Sequence, residues 1–150
     1  MRVAVIGCGT MGKMYIERLH AMDEVQLTAI YNRSPEPLAE YAAQYGVKGY
    51  TSYDELLASP EVDVVCVTLP TYMHKEVVLK AAAHGKHVIC EKPLALNPQD
   101  AKEMAERHYL IWQGMLTLFV NHRSAYTVDE ATIAIVNHIR SDTYLKTKKN

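Results

Sequence analysis

The stretch Val3-Ala-Val-Ile-Gly-Cys-Gly-Thr-Met-Gly12 constrains this chain more than any other. An apolar run, Val3 to Ile6, meets three glycines in the spacing Gly7-x-Gly9-x-x-Gly12, and a helical pattern follows from Thr10 to about Ala21. A strand that enters a glycine turn and leaves as a helix has a particular chemistry at the junction. Gly7 permits the sharp turn, Gly9 lets a bulky anion approach the backbone, and Gly12 lets the helix sit close to the strand. The first-turn amides, those of Thr10 and Met11 among them, have no partner within the helix, and the helix dipole adds positive potential there. The expected ligand is the pyrophosphate of a dinucleotide. Glycine-rich turns alone are common. The strand before, the helix after and a second strand ending about twenty residues later make this one specific.

The remaining pattern agrees with that start. Val25 to Tyr31 reads as a second strand, ending in Asn32-Arg33-Ser34-Pro35. Ser34 is the expected N-cap of a helix running to about Tyr45, with Pro35 in its first turn. A short strand, Val47 to Tyr50, precedes Ser52-Tyr-Asp-Glu55, a capping-box spacing that opens a helix to Ala58. Val62 to Thr68 is nearly continuously apolar, as in a strand buried on both faces of a parallel sheet. A helix from about Met73 to His84, a strand from His87 to Cys90 and a helix from Pro98 to about His108 follow. Leu116 to Val120 is the expected sixth strand, Val128 to about Ile139 has helical spacing, and Lys146 to Asn150 is a basic tail. Strand and helix alternate, so the expected architecture is a doubly wound α/β parallel sheet, a Rossmann fold of about six strands. Residues 1–122 read as the dinucleotide domain, and 123–150 as a C-terminal helix and tail packing on it, with no second domain.

Composition excludes several other classes. With 49% hydrophobic and 22% charged residues, the 150-residue chain suits one folded core. A net charge of -1 gives no general attraction to nucleic acid or anionic membranes. No apolar run reaches the ~18 residues of a membrane span, and the chain enters a strand at once, without a secretory signal pattern. Cys8, Cys66 and Cys90 lie in or beside apolar strands at no metal-ligand spacing, which suits reduced thiols in the cytoplasm. Cys8, inside the glycine loop, reads as a small filler rather than a reactive thiol. No pair among the seven histidines makes a zinc motif.

The end of the second strand bears on the choice of dinucleotide. An acidic residue there holds the adenosine ribose hydroxyls and selects NAD. This chain has Asn32, Arg33 and Ser34 instead. A carboxylate about 4 Å from a 2'-phosphate would cost about 4 kcal/mol at intermediate dielectric. Its absence, with an arginine fork in its place, favours NADP. With Arg33 read as a solvated loop residue, either NADP or NAD fits.

Three residue groups fall where strands of such a sheet end: Leu69-Pro70-Thr71 with His74, Glu91-Lys92-Pro93, and Asn121-His122. A lysine beside a dinucleotide can hydrogen-bond a substrate hydroxyl and assist its deprotonation; by composition alone such a lysine is more often an ordinary surface residue, Lys92 included. Gly7-Cys-Gly-Thr-Met-Gly12, Leu69-Pro-Thr-Tyr-Met-His74 and Gly85-Lys-His-Val-Ile-Cys-Glu-Lys-Pro93 together resemble the Gfo/Idh/MocA oxidoreductases, which include glucose-fructose oxidoreductase and inositol 2-dehydrogenase. The resemblance covers roughly residues 1–106, and its Glu-Lys-Pro segment is more specific than the glycine triplet. It implies an NAD(P)-binding domain of an enzyme acting on sugars, polyols or related carbonyl compounds. It also implies that Lys92 is the catalytic residue that contacts substrate, and that Pro70, His74 and Glu91 line the cofactor crevice.

Two departures qualify what the resemblance implies. Leu118-Phe-Val-Asn-His122, with Asn121 near the cofactor, resembles the family's sixth strand, but the arginine-aromatic-proline stretch that usually follows is missing or compressed at Arg123 to Tyr126. The second α/β domain, which carries the substrate pocket and much of the subunit interface, has no counterpart in 150 residues. The expectation is therefore an oxidoreductase-family domain with weak or no turnover alone. The alternative is a non-catalytic cofactor-binding or oligomerisation module. A stand-alone ligand-sensing regulator is more distant, since no basic recognition face supports it. A homodimer through the C-terminal part is expected, on the argument that apolar surface left open by the missing domain needs cover.

Overall fold

The core of the chain is a parallel sheet whose two central strands are buried from Val3 to Ile6 and from Val64 to Val67. In a computed structural model, residues 1–107 and 110–111 are described. They form β1 (Arg2–Ile6), α1 (Thr10–His20), β2 (Gln26–Tyr31), α2 (Pro35–Tyr45), β3 (Lys48–Tyr50), α3 (Tyr53–Ala58), β4 (Val64–Val67), α4 (Thr71–Ala83), β5 (His87–Cys90), α5 (Pro98–Arg107) and β6 (Leu110–Ile111). The strand order is β3-β2-β1-β4-β5-β6. The pairs β1–β2, β2–β3, β1–β4 and β4–β5 are all parallel, as the alternation of strand and helix requires.

Alternating side chains divide the core between the two faces. Ala4 and Ile6 of β1 join Val65 and Val67 of β4 in a cluster closed by Leu56 and Leu57 of α3, Val77, Val78 and Ala81 of α4, and Met104 of α5. Val3, Val5, Val64 and Cys66 point the other way, where α1 contributes Ile16 and Leu19 and α2 contributes Leu38. Each fully buried aliphatic side chain contributes about 1.5–3 kcal/mol by leaving water.

The amino ends of β1 and β4 are tied by charge. Arg2 gives its backbone N–H and guanidinium to Asp63, at 3.0, 3.1 and 2.7 Å. This fork lies at the edge opposite the glycine loop and supports the register Val3↔Val64 through Ile6↔Val67. The carboxyl ends consequently align: Ile6 pairs with Tyr31 on one side and Val67 on the other, Val67 with Cys90, and Tyr31 with Tyr50. Ladder bonds continue one residue further, from Thr68 N–H to Ile6 O at 3.0 Å and from Glu91 N–H to Val67 O at 2.9 Å.

Local differences from the sequence reading have local causes. α4 starts at Thr71, directly after Pro70, and not at Met73. Ser34 occupies the N-cap of α2 without a side-chain cap bond, whereas Ser52 accepts from the Glu55 amide as its spacing predicts. A strand occurs at Leu110–Ile111, within the apolar run before Gly114. The expected strand at 116–120, the helix at 128–139, the basic tail and the boundary at 122 all lie outside the described residues. No helix among the described residues is long and apolar enough to cross a membrane.

Candidate functional site

Strand order reverses between β1 and β4: the chain passes from β1 to β2 and β3 on one side, then returns to β4 on the other. In open parallel sheets the crevice at such a switch point, outside the carboxyl ends, is where ligands bind. Here a cleft of about 460 Å³ opens there. Its floor is Gly7, Cys8, Gly9, Thr10 and Met11; one wall is Tyr31, Asn32 and Arg33; the other is Thr68, Leu69, Pro70, Tyr72 and Met73.

The floor is held by hydrogen bonds to its own backbone. Gly7, at φ +112°, takes a conformation that L side chains rarely adopt, and its N–H donates to Tyr31 O at 3.0 Å. The Thr68 hydroxyl lies 2.8 Å from Gly7 O and 3.2 Å from Ile6 O, bracing the turn from the neighbouring strand. Gly12 sits against that brace: a Cβ there would stand 1.7 Å from Gly7 O and 2.9 Å from Thr68 Oγ1. At Gly9 a Cβ would meet nothing within 4 Å, so the backbone there is open to an approaching group.

The helix starts around the cleft differ from those elsewhere. Ser52 caps α3 and the Asn97 side chain accepts from the Asp100 amide at the start of α5. The N-caps of α1, α2 and α4, namely Gly9, Ser34 and Pro70, make no side-chain cap bond. α1 also has no acidic residue in its first turn. Among the described residues that line it, none is an aspartate or glutamate, and Arg33 is the one formal cation. Open first-turn amides, a positive helix end and one guanidinium fit a phosphate-bearing ligand.

Of the residues singled out from sequence, Gly7, Gly9, Thr10, Met11, Asn32, Arg33, Leu69 and Pro70 converge on this one cleft. Gly12 lies beneath it. Ser34 begins α2 one residue beyond its rim, and Asn32 gives its side-chain N–H to Ser34 O at 3.2 Å. Arg33 is exposed and makes no ion pair with a described residue.

His74 is placed behind the wall rather than on it, because its position on α4 turns the ring inward. It is 1% exposed, with one ring nitrogen 2.7 Å from Leu69 O and the other 3.0 Å from Pro93 O. It therefore joins the loop after β4 to the loop after β5. Glu91 is also buried and does not line the cleft. Its carboxylate accepts from the Lys92 N–H at 3.1 Å, and it lies near Tyr15 of α1. Burial, then the nearby Cys66 and Glu91, push the Tyr15 phenol well above its usual range, so it stays protonated as a donor. Lys92 is exposed at the end of β5, before a cis peptide bond to Pro93. Asn121 lies outside the described residues.

The sequence reading missed Thr68, Tyr72 and Tyr15. The signal for Thr68 was a lone hydroxyl closing an apolar strand. The other two are aromatic residues in helical turns, with no spacing that marks them. Cys8 lines the cleft, and burial pushes its thiol up to about 11, partly offset by Lys13. Its Sγ lies 3.4 Å from Tyr31 O, consistent with a packed filler. Among the described residues no group of three or more metal-ligating side chains comes together.

Comparison with known proteins gives the following relations. The family described as an oxidoreductase family with an NAD-binding Rossmann fold matches residues 1–109. An uncharacterised oxidoreductase of Streptococcus pneumoniae is 35% identical, over 91% of this chain and 38% of that protein. A myo-inositol 2-dehydrogenase of Thermotoga maritima is 41% identical, over 71% of this chain and 32% of that protein. A 3-ketoreductase from Actinomadura kijaniata, solved in complex with NADP and TDP-benzene, superimposes with a TM-score of 0.74 at 29% identity, over 82% of this chain and 40% of that one. The chain thus spans between 32% and 38% of the length of these curated relatives.

Proposed function

Since the chain belongs to this oxidoreductase family, we propose that its cleft holds a nicotinamide dinucleotide, NADP in preference to NAD, for hydride transfer to or from a sugar or polyol. The observation that carries this reading is the open start of α1 at the switch point, uncapped and free of acidic side chains. In this assignment the amides of Thr10 and Met11 bind the diphosphate, with Gly9 leaving room. Asn32 and Ser34 face the adenosine ribose, and Arg33 pairs with a 2'-phosphate. Leu69 and Pro70 form the facing wall.

When bound, the nicotinamide ring supplies the hydride acceptor or donor. The chain's own part in the chemistry falls to Lys92, whose neutral amine takes the proton of a substrate hydroxyl in the oxidising direction and, as the ammonium so formed, returns it in the reducing direction. Glu91, bonded by the Lys92 amide, holds the start of that loop. His74 holds its other end through Pro93. The substrate carbon must sit about 3–3.5 Å from the reacting ring carbon, with water excluded. The described residues make one wall of such a site, so the 1–150 polypeptide is proposed to bind cofactor well and turn over slowly. A non-catalytic cofactor-binding or oligomerisation module is the second reading, and a homodimer through the C-terminal residues belongs to both.

Calorimetric titration of NADP and NAD into the polypeptide tests the assignment, with sugars and polyols screened for turnover in the same samples. NADP is expected to bind more tightly. Arg33→Ala should remove that margin, about 10- to 150-fold for hydrogen bonds to a charged group, and leave NAD unchanged. Tighter binding of NAD refutes the preference, and no binding of either refutes the function. Robust turnover by residues 1–150 removes the module reading, and a monomer by light scattering at all concentrations removes the dimer.

A further inference from the structure

Tyr72 stands apart from the other tyrosines of the described residues. Tyr15 is half-buried near Glu91, Tyr31 packs edge-on against Tyr53, and Tyr53 also bonds Glu76. Tyr41 and Tyr50 lie beneath Lys13 and Lys48, and Tyr45 packs against His20. Tyr72 alone among the described tyrosines has neither a ring contact nor a hydroxyl bond to another described residue. It is 68% exposed, yet it lines the cleft. A large ring kept in water at the mouth of a ligand cleft is stacking surface without a partner among the described residues.

Its position indicates what the ring covers. The cleft extends from α4 to the end of β2, where Tyr31, Asn32 and Arg33 form the opposite wall, and no described residue after β5 lines it. Tyr72 therefore shares its space with the β2 end, away from Lys92. A group lying there, one sugar away from a phosphate held on α1, is the nucleobase and not the reacting ring. We infer that Tyr72 stacks on the adenine of the dinucleotide, closing one face of the base while Arg33 attends to its ribose from the other wall. This rests on the cofactor assignment above and adds to it a residue that sets affinity through the base.

The test uses the 1–150 polypeptide with Tyr72→Ala and Tyr72→Phe, titrated with NADP and with adenosine 2',5'-bisphosphate, which lacks the nicotinamide half. Base–aromatic stacking predicts that Tyr72→Ala loses about 5- to 150-fold in affinity. The loss should be equal for both ligands, and Tyr72→Phe should stay within about twofold because the ring face is retained. With etheno-adenine NADP at saturation, the bound fluorescence should be quenched by the parent and by Tyr72→Phe, and released in Tyr72→Ala. If the parent binds no adenine dinucleotide, the cofactor assignment itself falls. If the parent binds and Tyr72→Ala binds equally well, or loses affinity for NADP but not for the bisphosphate, the stacking inference is overturned while the assignment stands.

Discussion

Replacing Gly12 with alanine probes the junction on which the cleft depends. The new Cβ would lie 1.7 Å from Gly7 O, 2.8 Å from Gly7 C and 2.9 Å from Thr68 Oγ1, where real Cβ contacts do not fall below 3.0 Å. The helix and turn must therefore part by at least 1.3 Å, the difference between 3.0 and 1.7 Å. Neither obstacle is the free end of a long side chain: one is backbone, and the other is a hydroxyl that bonds two carbonyls. Overpacking of this kind costs about 1–3 kcal/mol. Losing the Thr68–Gly7 bond adds about 1 kcal/mol, giving about 2–4 kcal/mol against a domain stability of about 5–15 kcal/mol. With a urea slope of about 1.5 kcal/mol/M, the midpoint should fall by about 1.3–2.7 M. Gly9→Ala is the control. Gly9 sits at φ −71°, ψ −170°, which alanine adopts freely, and its Cβ meets nothing within 4 Å. Its midpoint should stay within a shift of about 0.5 kcal/mol, while cofactor affinity drops because the methyl stands where the diphosphate approaches. A Gly12→Ala midpoint equal to the parent's would refute the packing argument, and a Gly9→Ala that binds NADP at parental affinity would refute the placement of the diphosphate.

Three further outcomes follow from the same contacts. Thr68→Val keeps the shape but leaves Gly7 O and Ile6 O without the hydroxyl, and should cost about 1–2 kcal/mol in urea unfolding; no change would mean the brace is idle. Arg2, first by its hydrogen bonds, holds the Asp63 carboxyl below its ordinary value. Its stabilisation is complete above the unfolded value of about 3.9 and fades as pH falls through the lower folded value. Asp63→Asn should therefore be less stable than the parent at pH 6, with the gap closing toward pH 2 in thermal melts; a gap constant with pH contradicts the pair. Burial pushes Cys66 and Cys90 each up to about 12, with Glu91 adding to both. Native protein at pH 8 should resist alkylation at these two positions by mass spectrometry and react only in denaturant, and rapid native labelling of either would show that the strands open.

The order of strands and helices through α5 follows from the chain's own pattern. Apolar runs such as Val62 to Thr68 need two covered faces, and the glycine triplet needs a strand before it and a helix after. Eight of the residues expected in the site also meet in the cleft, because a parallel sheet brings the ends of β1, β2 and β4 to one edge whatever the side chains between them. What the pattern could not decide was which way individual side chains turn once helices pack. His74 and Glu91 belong to motifs beside the cleft, yet α4 and β5 direct them into the interior, where backbone carbonyls and the Lys92 amide take up their polar atoms. Thr68 and Tyr72 carry no diagnostic spacing; Thr68 matters through Gly7, 61 residues away in sequence, and Tyr72 through a ring that meets no ring or hydrogen-bond partner among the described residues. Periodicity records which face of an element avoids water. Only the packed sheet determines which polar atom meets which, since those meetings depend on register between strands distant in the chain.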